Sequence, residues 1–239
     1  MSHDPKLAIR QEQNKNNLLA FAKITQMTSQ GFDALGIFPF GDCRPNATWY
    51  LAAEGSMFSV IIPTADSERA LVPTLAALVP GATAGIVREV IVTDAQSRDQ
   101  TEEVADIAGC RFVSSSKPLG ARLNEASRTA RGDWLMFLRP GCVPGGTWID
   151  ETIAFVDEIA RRNRPNAAIF APETTSVLDI FARALRRPVS PRQGLIIAKA
   201  FYLALDGHPD IASPEAALLK RLGRRRIVTL RTPVARADI

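Results

Sequence analysis

Three short apolar runs in the chain stop at residues able to do chemistry. FSVIIP (58–63) ends before Thr64 and Asp66. VREVIVTD (87–94) ends on Asp94 and leads into Ser97, Asp99 and Thr101. DWLMFLRP (133–140) runs into Arg139, Gly141 and Cys142. A carboxylate at a strand end can accept hydrogen bonds from the hydroxyls or ring N–H groups of a small molecule. A guanidinium such as that of Arg139 is always charged and binds phosphate bidentately. Later in the chain, SPEAALLKRLG (213–223) places Glu215 in the first turn of a capped helix, where its charge complements the helix dipole. In open α/β sheets ligands bind beyond the carboxyl ends of the strands, so these positions are where a site is expected.

Several other chemistries are excluded. No GxGxxG follows the first run, no GxxxxGK[ST] is present and no GxSxG is present. A dinucleotide fingerprint, a P-loop and a nucleophile elbow are therefore absent. The two histidines, His3 and His208, are too few and too badly placed for a hydrolase triad, and His208 in DGHP reads as a turn residue. Cys43, Cys110 and Cys142 form no CxxC pair, which argues against a zinc site or a disulfide scaffold and for a reducing compartment. Cys110 and Cys142 read as small buried residues.

The elements that must position the candidate residues alternate. The three runs read as strands, as does CRFVS (110–114). Between and after them SERALVPTLAAL (67–78), RDQTEEVADIA (98–108), GARLNEASRTA (120–130) and TWIDETIAFVDEIARR (147–162) read as helices, with Pro73 expected to kink or restart the first. Such alternation predicts an α/β fold, a mostly parallel doubly wound sheet with helices on both faces. After Pro165 the pattern loosens. AAIFAP (167–172), GLIIAK (194–199) and RIVTLR (226–231) read as strands, and 177–187 and 213–223 as helices. Residues 1–56 read differently, helical around Leu18, Leu19, Phe21 and Ile24 and then loop-rich from Gly31 to Pro45. They are taken as an N-terminal extension and oligomer contact beside a main domain at 57–239.

The chain has 239 residues, 46% of them hydrophobic and 23% charged, enough for a sizeable core without staples. No apolar run reaches the roughly 18 residues of a membrane span. The first residues lack the apolar core of a secretory signal, so a cytoplasmic protein is expected. The net charge of +4 is uneven. From Arg161 onward there are 15 Lys+Arg against 6 Asp+Glu. A basic third can meet phosphate, nucleic acid or an anionic membrane surface, or be simply a solvated face. No aromatics interleave the arginines, which turns the reading away from nucleic acid and leaves peripheral membrane association as the expectation.

In order along the chain, IIPTADSE, EVIVTDAQSRDQT and GDWLMFLRPGCVP resemble the donor-site segments of family 2 glycosyltransferases of the GT-A fold. GLIIAKAFYLALDGHPDIASPEAALLKRLGRR resembles their acceptor-side segment. The resemblance runs from about Phe58 to Val234. It implies a GT-A-like domain that moves a sugar from a nucleoside diphosphate sugar to an acceptor hydroxyl. By the same resemblance Thr64, Asp66 and Asp94 contact the base or ribose, Gly120 and Asn124 approach the donor, and Glu215 is the general base. Ser97, Asp99 and Thr101 match the second loop, with a helix cap as the plainer role.

The departures from that pattern are also informative. The aspartate pair of the family falls on Arg139 and Gly141, neither of which binds a metal. The expectation is therefore that no divalent metal takes part and that Arg139 supports the leaving diphosphate instead. Pro214 replaces an acidic residue, Gln96 and Gln100 replace glycines, and Arg192 stands where an aspartate is usual. These changes keep an alternative open: a catalytically inactive GT-A-fold binding or scaffolding protein. Nucleotidyl transfer is disfavoured, since there is no GxG-type loop after the first strand and no paired carboxylate.

Overall fold

The computed structural model describes residues 58–162, 164–173 and 189–237. The expected N-terminal extension and the expected helix at 177–187 lie outside these residues. The expected alternation is present in the first half. Strands β1 (Phe58–Thr64), β2 (Val87–Asp94), β3 (Arg111–Ser114) and β4 (Trp134–Phe137) alternate with helices α1 (Glu68–Thr83), α2 (Thr101–Ile107) and α3 (Leu119–Thr129). β1 pairs in parallel with both β2 and β4, and β2 with β3. Helices cover both faces, which is why these strands are apolar without a break. Val60, Ile62, Val92 and Met136 turn to one core with Leu71, Leu75 and Leu78. Ile61, Ile91, Leu135 and Phe137 turn to the other with Leu123 and Leu218.

The second half adds β5 (Cys142–Pro144), α4 (Trp148–Arg162), β6 (Ala167–Pro172), β7 (Leu195–Ala198), α5 (Lys199–Ala204), α6 (Pro214–Leu222) and β8 (Ile227–Arg236). The eight strands form one sheet in the order β3-β2-β1-β4-β7-β6-β8-β5. β7 runs antiparallel to β4 and β6, and β5 antiparallel to β8, while β6 and β8 are parallel. Parallel pairings thus outnumber antiparallel ones by four to three. These antiparallel pairs explain why the strand–helix rhythm fades after Pro165, since they need no helical crossover. Among the described residues no helix is long and apolar enough to cross a membrane.

Pro73 does not restart its helix. α1 is continuous through Pro73 and Pro80. An interior proline costs about 3 kcal/mol, but α1 buries Leu71, Leu75 and Leu78 completely. Each such side chain contributes about 1.5–3 kcal/mol, so packing overrides local propensity. The far end of α1 is fixed by Trp148, which is 2% exposed and donates from Nε1 to the Ala77 carbonyl at 3.2 Å. A Cβ on Gly81 would lie 2.5 Å from the Trp148 ring. Gly81→Val should therefore destabilise the domain by about 1–3 kcal/mol, measured by urea denaturation. An unchanged midpoint would mean that the Trp148 contact is loose.

Candidate functional site

The turns after β1 and β2 are bound to each other, and the knot is Asp94. This carboxylate is 1% exposed. It accepts hydrogen bonds from the Thr64 hydroxyl at 2.7 Å, from the Ser97 N–H at 2.7 Å and from the Ser97 hydroxyl. Ser97 Oγ in turn accepts from the Asp66 N–H at 2.7 Å, and Asp66 accepts from the Arg98 N–H at 2.8 Å. Asp99 accepts from the N–H of Glu68 at 2.9 Å and from Thr101, whose Oγ1 accepts from the Ser67 N–H at 2.9 Å. Of the cap expected of Ser97, Asp99 and Thr101, Asp99 meets the first N–H of α2 and also, with Thr101, the start of the neighbouring helix α1, while Ser97 caps neither helix. Desolvation pushes the Asp99 carboxyl up, and the hydrogen bonds from Thr101 and Glu68 outweigh it and hold it below its ordinary value. Asp66 and Gln96 adopt left-handed φ values of 46° and 59°. Gln96 thus takes the backbone conformation that glycine usually supplies, whereas Gln100 at φ −83° has no need of it.

Gly120 and Asn124 have close partners within the chain. A Cβ on Gly120 would lie 2.4 Å from the Pro209 carbonyl oxygen. Asn124 donates from Nδ2 to the His208 carbonyl at 2.7 Å and accepts at Oδ1 from the His208 N–H and the Tyr202 hydroxyl. Both residues dock the 207–214 segment onto α3. His208 is 2% exposed, pairs through Nδ1 with the Tyr202 hydroxyl at 2.7 Å and stands edge-on to Phe137. Burial pushes its pKa down to about 3. It is a buried neutral group in the wall behind the site.

Sequence reasoning missed Arg122. It lies on α3 between Gly120 and Asn124, is 7% exposed, and donates to the Thr93 carbonyl. Its Nε is buried without a hydrogen-bond partner among the described residues. Burial lowers its pKa, and the nearby Asp94 charge opposes that fall. The available signal was its place two residues after Gly120, on the helix that leads up to the strand ends.

A cleft opens at the carboxyl ends of β1 and β4. Its walls include Thr64, Ala65, Ser67, Arg122, Arg139, Gly141, Arg192 and Arg236. Arg139 donates from Nε to Glu215 Oε1 at 3.0 Å and from Nη2 to Oε2, a bidentate pair across 76 residues. The Glu215 side chain is 12% exposed and that of Arg139 41%. The hydrogen bonds to Glu215 raise the Arg139 pKa. The structure thus brings Thr64 and Arg139 to one cleft; Glu215 adjoins it through its pair with Arg139, Asp94 is buried behind Thr64, and Asp66 sits exposed in the β1 turn. Gly141 has φ 83° and donates its N–H to the Ala70 carbonyl and to Thr74 Oγ1. Its backbone role explains the lack of a longer side chain there.

Eight strands in this order, with a cleft beyond the parallel ends, define a GT-A fold, and comparison with solved structures agrees. Glucosyl-3-phosphoglycerate synthase from Mycobacterium tuberculosis, in complex with Mn²⁺, UDP and glucosyl-3-phosphoglycerate, matches with a TM-score of 0.59 at 20% identity. The match covers 83% of this chain and 79% of that one. The same synthase with Mn²⁺, UDP-glucose and phosphoglyceric acid matches with a TM-score of 0.61 at 19% identity, covering 86% and 81%. S. aureus TarS matches with a TM-score of 0.56 at 19% identity, covering 74% and 59%. Residues 59–161 match the model of glycosyl transferase family 2, and the solved structures show that the chain has the GT-A fold. No curated protein sequence matches it.

These neighbours correct the expectation about metal. That expectation rested on Arg139 and Gly141 standing in place of carboxylates, yet the M. tuberculosis synthase holds Mn²⁺ or Mg²⁺ together with UDP. A cation that arrives with a diphosphate takes many of its ligands from phosphate oxygens and water. The protein's own carboxylates are therefore a poor guide to it. Among the described residues no group of three or more His, Cys, Asp or Glu side chains is placed to hold an ion. Asp94 is committed to Thr64 and Ser97, and Glu215 to Arg139. The residues present do not fit a protein-held metal cage, and no catalytic step is derived through one.

Two outcomes follow from this geometry. Asp94→Ala removes three bonds to a buried carboxylate and should destabilise the domain by about 2–4 kcal/mol. Asp94→Asn, which keeps an acceptor oxygen, should lose less, and equal midpoints for both variants in urea would show that charge-assisted bonding is unimportant here. The second outcome concerns pH. His208 titrates at about 3 in the fold against 6.5 ordinarily, so the unfolded chain takes up the proton first. Its contribution is full above about pH 6.5 and falls away between there and about pH 3, a loss of about 2 kcal/mol by about pH 5. His208→Gln should flatten that part of the stability–pH curve. A variant as acid-sensitive as wild type would contradict the assignment.

Proposed function

We propose that this chain transfers a sugar from a nucleoside diphosphate donor to an acceptor hydroxyl. On this reading residues 57–239 are the transferase domain and 1–56 an extension. The observation that carries it is the Arg139–Glu215 pair, a phosphate-binding cation on the cleft wall with a carboxylate bound directly to it. Supporting it, the M. tuberculosis neighbour of the same fold is seen with UDP-glucose and phosphoglyceric acid. UDP is therefore the first nucleotide to test.

Thr64 and Asp66 present the β1 turn to the nucleoside. Asp94 acts through that turn, because its oxygens already accept from Thr64 and Ser97. Arg122, with its unpartnered Nε, and Arg139 stabilise the diphosphate as its charge grows. A diphosphate bound to Arg139 competes with Glu215 for the same N–H groups, and the released carboxylate is free to take a proton. In the step itself the acceptor oxygen forms a bond to the anomeric carbon and gives its proton to Glu215. The bond from that carbon to the diphosphate oxygen breaks, and its electron pair leaves with the nucleoside diphosphate.

Glu215→Gln keeps the size of the side chain and removes its basicity. Turnover of the correct UDP-sugar, read as UDP released in buffer containing Mn²⁺, should fall by about 10²–10⁴-fold. UDP affinity by calorimetry should hold or rise, since Arg139 loses a competing anion. A turnover equal to wild type would remove Glu215 as the base. Wild-type protein that binds UDP and releases none from any donor would instead be a nucleotide-binding protein, and the committed state of Glu215 is the feature that would explain it.

A further inference from the structure

The negative groups around the cleft match only part of its positive charge. Four arginines line it: Arg122, Arg139, Arg192 and Arg236. The first two have negative neighbours, since Arg122 feels Asp94 and Arg139 pairs with Glu215. Arg192 and Arg236 form no ion pair and no side-chain hydrogen bond with any described residue. Both are exposed. They also adjoin each other through Cys142. Cys142 Sγ donates to the Arg192 carbonyl at 3.3 Å, and Cys142 is the register partner of Arg236 where β5 meets β8. The two arginines come from different elements, the 3-10 turn Pro191–Gln193 and the end of β8, whose backbones meet at Cys142, and both line the cleft. A pair of unmatched guanidiniums on a cleft wall is a receptor for an oxyanion.

We infer that Arg192 and Arg236 form a second anion subsite, and that the acceptor is a small alcohol bearing a phosphate or carboxylate group. This rests on the proposed transferase reading, in which the diphosphate lies at Arg139 and the acceptor hydroxyl at Glu215. The acceptor's anionic group then anchors at Arg192 and Arg236 and holds its hydroxyl toward the donor. Such an anchor also excludes neutral alcohols, because two charged groups desolvated without a counter-charge oppose their binding.

The test uses the full chain and three probes that share an alcohol and differ in charge: glycerol phosphate, glycerate and glycerol. Each is titrated by calorimetry into protein saturated with UDP. Glycerol phosphate or glycerate should bind with UDP still in place, glycerol should not, and the tighter of the two anions identifies the group recognised. Arg192→Gln/Arg236→Gln should weaken the anionic probe by about tenfold or more, the equivalent of one charge-assisted hydrogen bond, while UDP affinity is kept. Both side chains are exposed, so the fold should survive, and Arg192→Lys/Arg236→Lys should restore part of the binding through charge alone. Equal binding of all three probes, displacement of the anion by UDP, or a double variant that binds like wild type would each overturn the subsite. If UDP fails to bind, the transferase reading fails. Anion binding that is lost in the double variant would then still support the subsite.

Discussion

A single buried carboxylate organises the turns at the carboxyl ends of β1 and β2. Asp94 receives three hydrogen bonds, from Thr64 and Ser97, on chain segments thirty residues and three residues away. A carboxylate this deep in the fold is tolerated only because it is hydrogen-bonded. In satisfying it, the β1 and β2 turns lock together. Ser97 then reaches the Asp66 N–H, Asp99 the Glu68 N–H, and Thr101 the Ser67 N–H. The start of α1 is held from outside its own element, and the cleft wall formed by Thr64, Ala65 and Ser67 is rigid before any ligand arrives. Preorganisation of this sort reduces the ordering cost of binding.

Behind the cleft the same logic repeats with neutral groups. Asn124, Tyr202 and His208 satisfy one another while the 207–214 segment docks on α3, and that segment delivers α6 and Glu215 to Arg139. The close approach at Gly120 belongs to this docking. Gly141 in turn fixes the end of β4 by donating to Ala70 and Thr74, which aims Arg139 into the cleft. The positions at which the family pattern has glycine, asparagine and aspartate are thus mostly framework here. The charges that line the cleft are arginines.

What could be read in advance follows from the range of each interaction. β2 and β6 were legible to the residue, because each is a continuous apolar run with clear ends. Pro73 was expected to kink or restart α1 because local propensity was visible and the burial of Leu71, Leu75 and Leu78 was not. β5 is three residues long, too short for any periodicity, and exists only because the β8 edge is there to pair with. At the site, residue types at strand ends pointed to Thr64, Asp66, Asp94, Arg139 and Glu215. Their partners were hidden, since Arg139 and Glu215 are 76 residues apart. Arg122 went unnoticed because a basic residue in a helix ordinarily faces solvent, and only the fold buries it. The metal expectation failed because it weighed protein carboxylates alone, whereas a diphosphate brings oxygen ligands of its own.

The central claim is that the Arg139–Glu215 point of the cleft is where a donor diphosphate meets a carboxylate base. A crystal structure of the full chain with UDP and Mn²⁺ tests it most directly. The account predicts phosphate oxygens within hydrogen-bond distance of the Arg139 guanidinium, about 2.7–2.9 Å. It also predicts the Glu215 carboxylate released from at least one of its two bonds and facing the open side of the cleft. UDP bound elsewhere, or a diphosphate out of reach of Arg139 beside an intact bidentate pair, would contradict it.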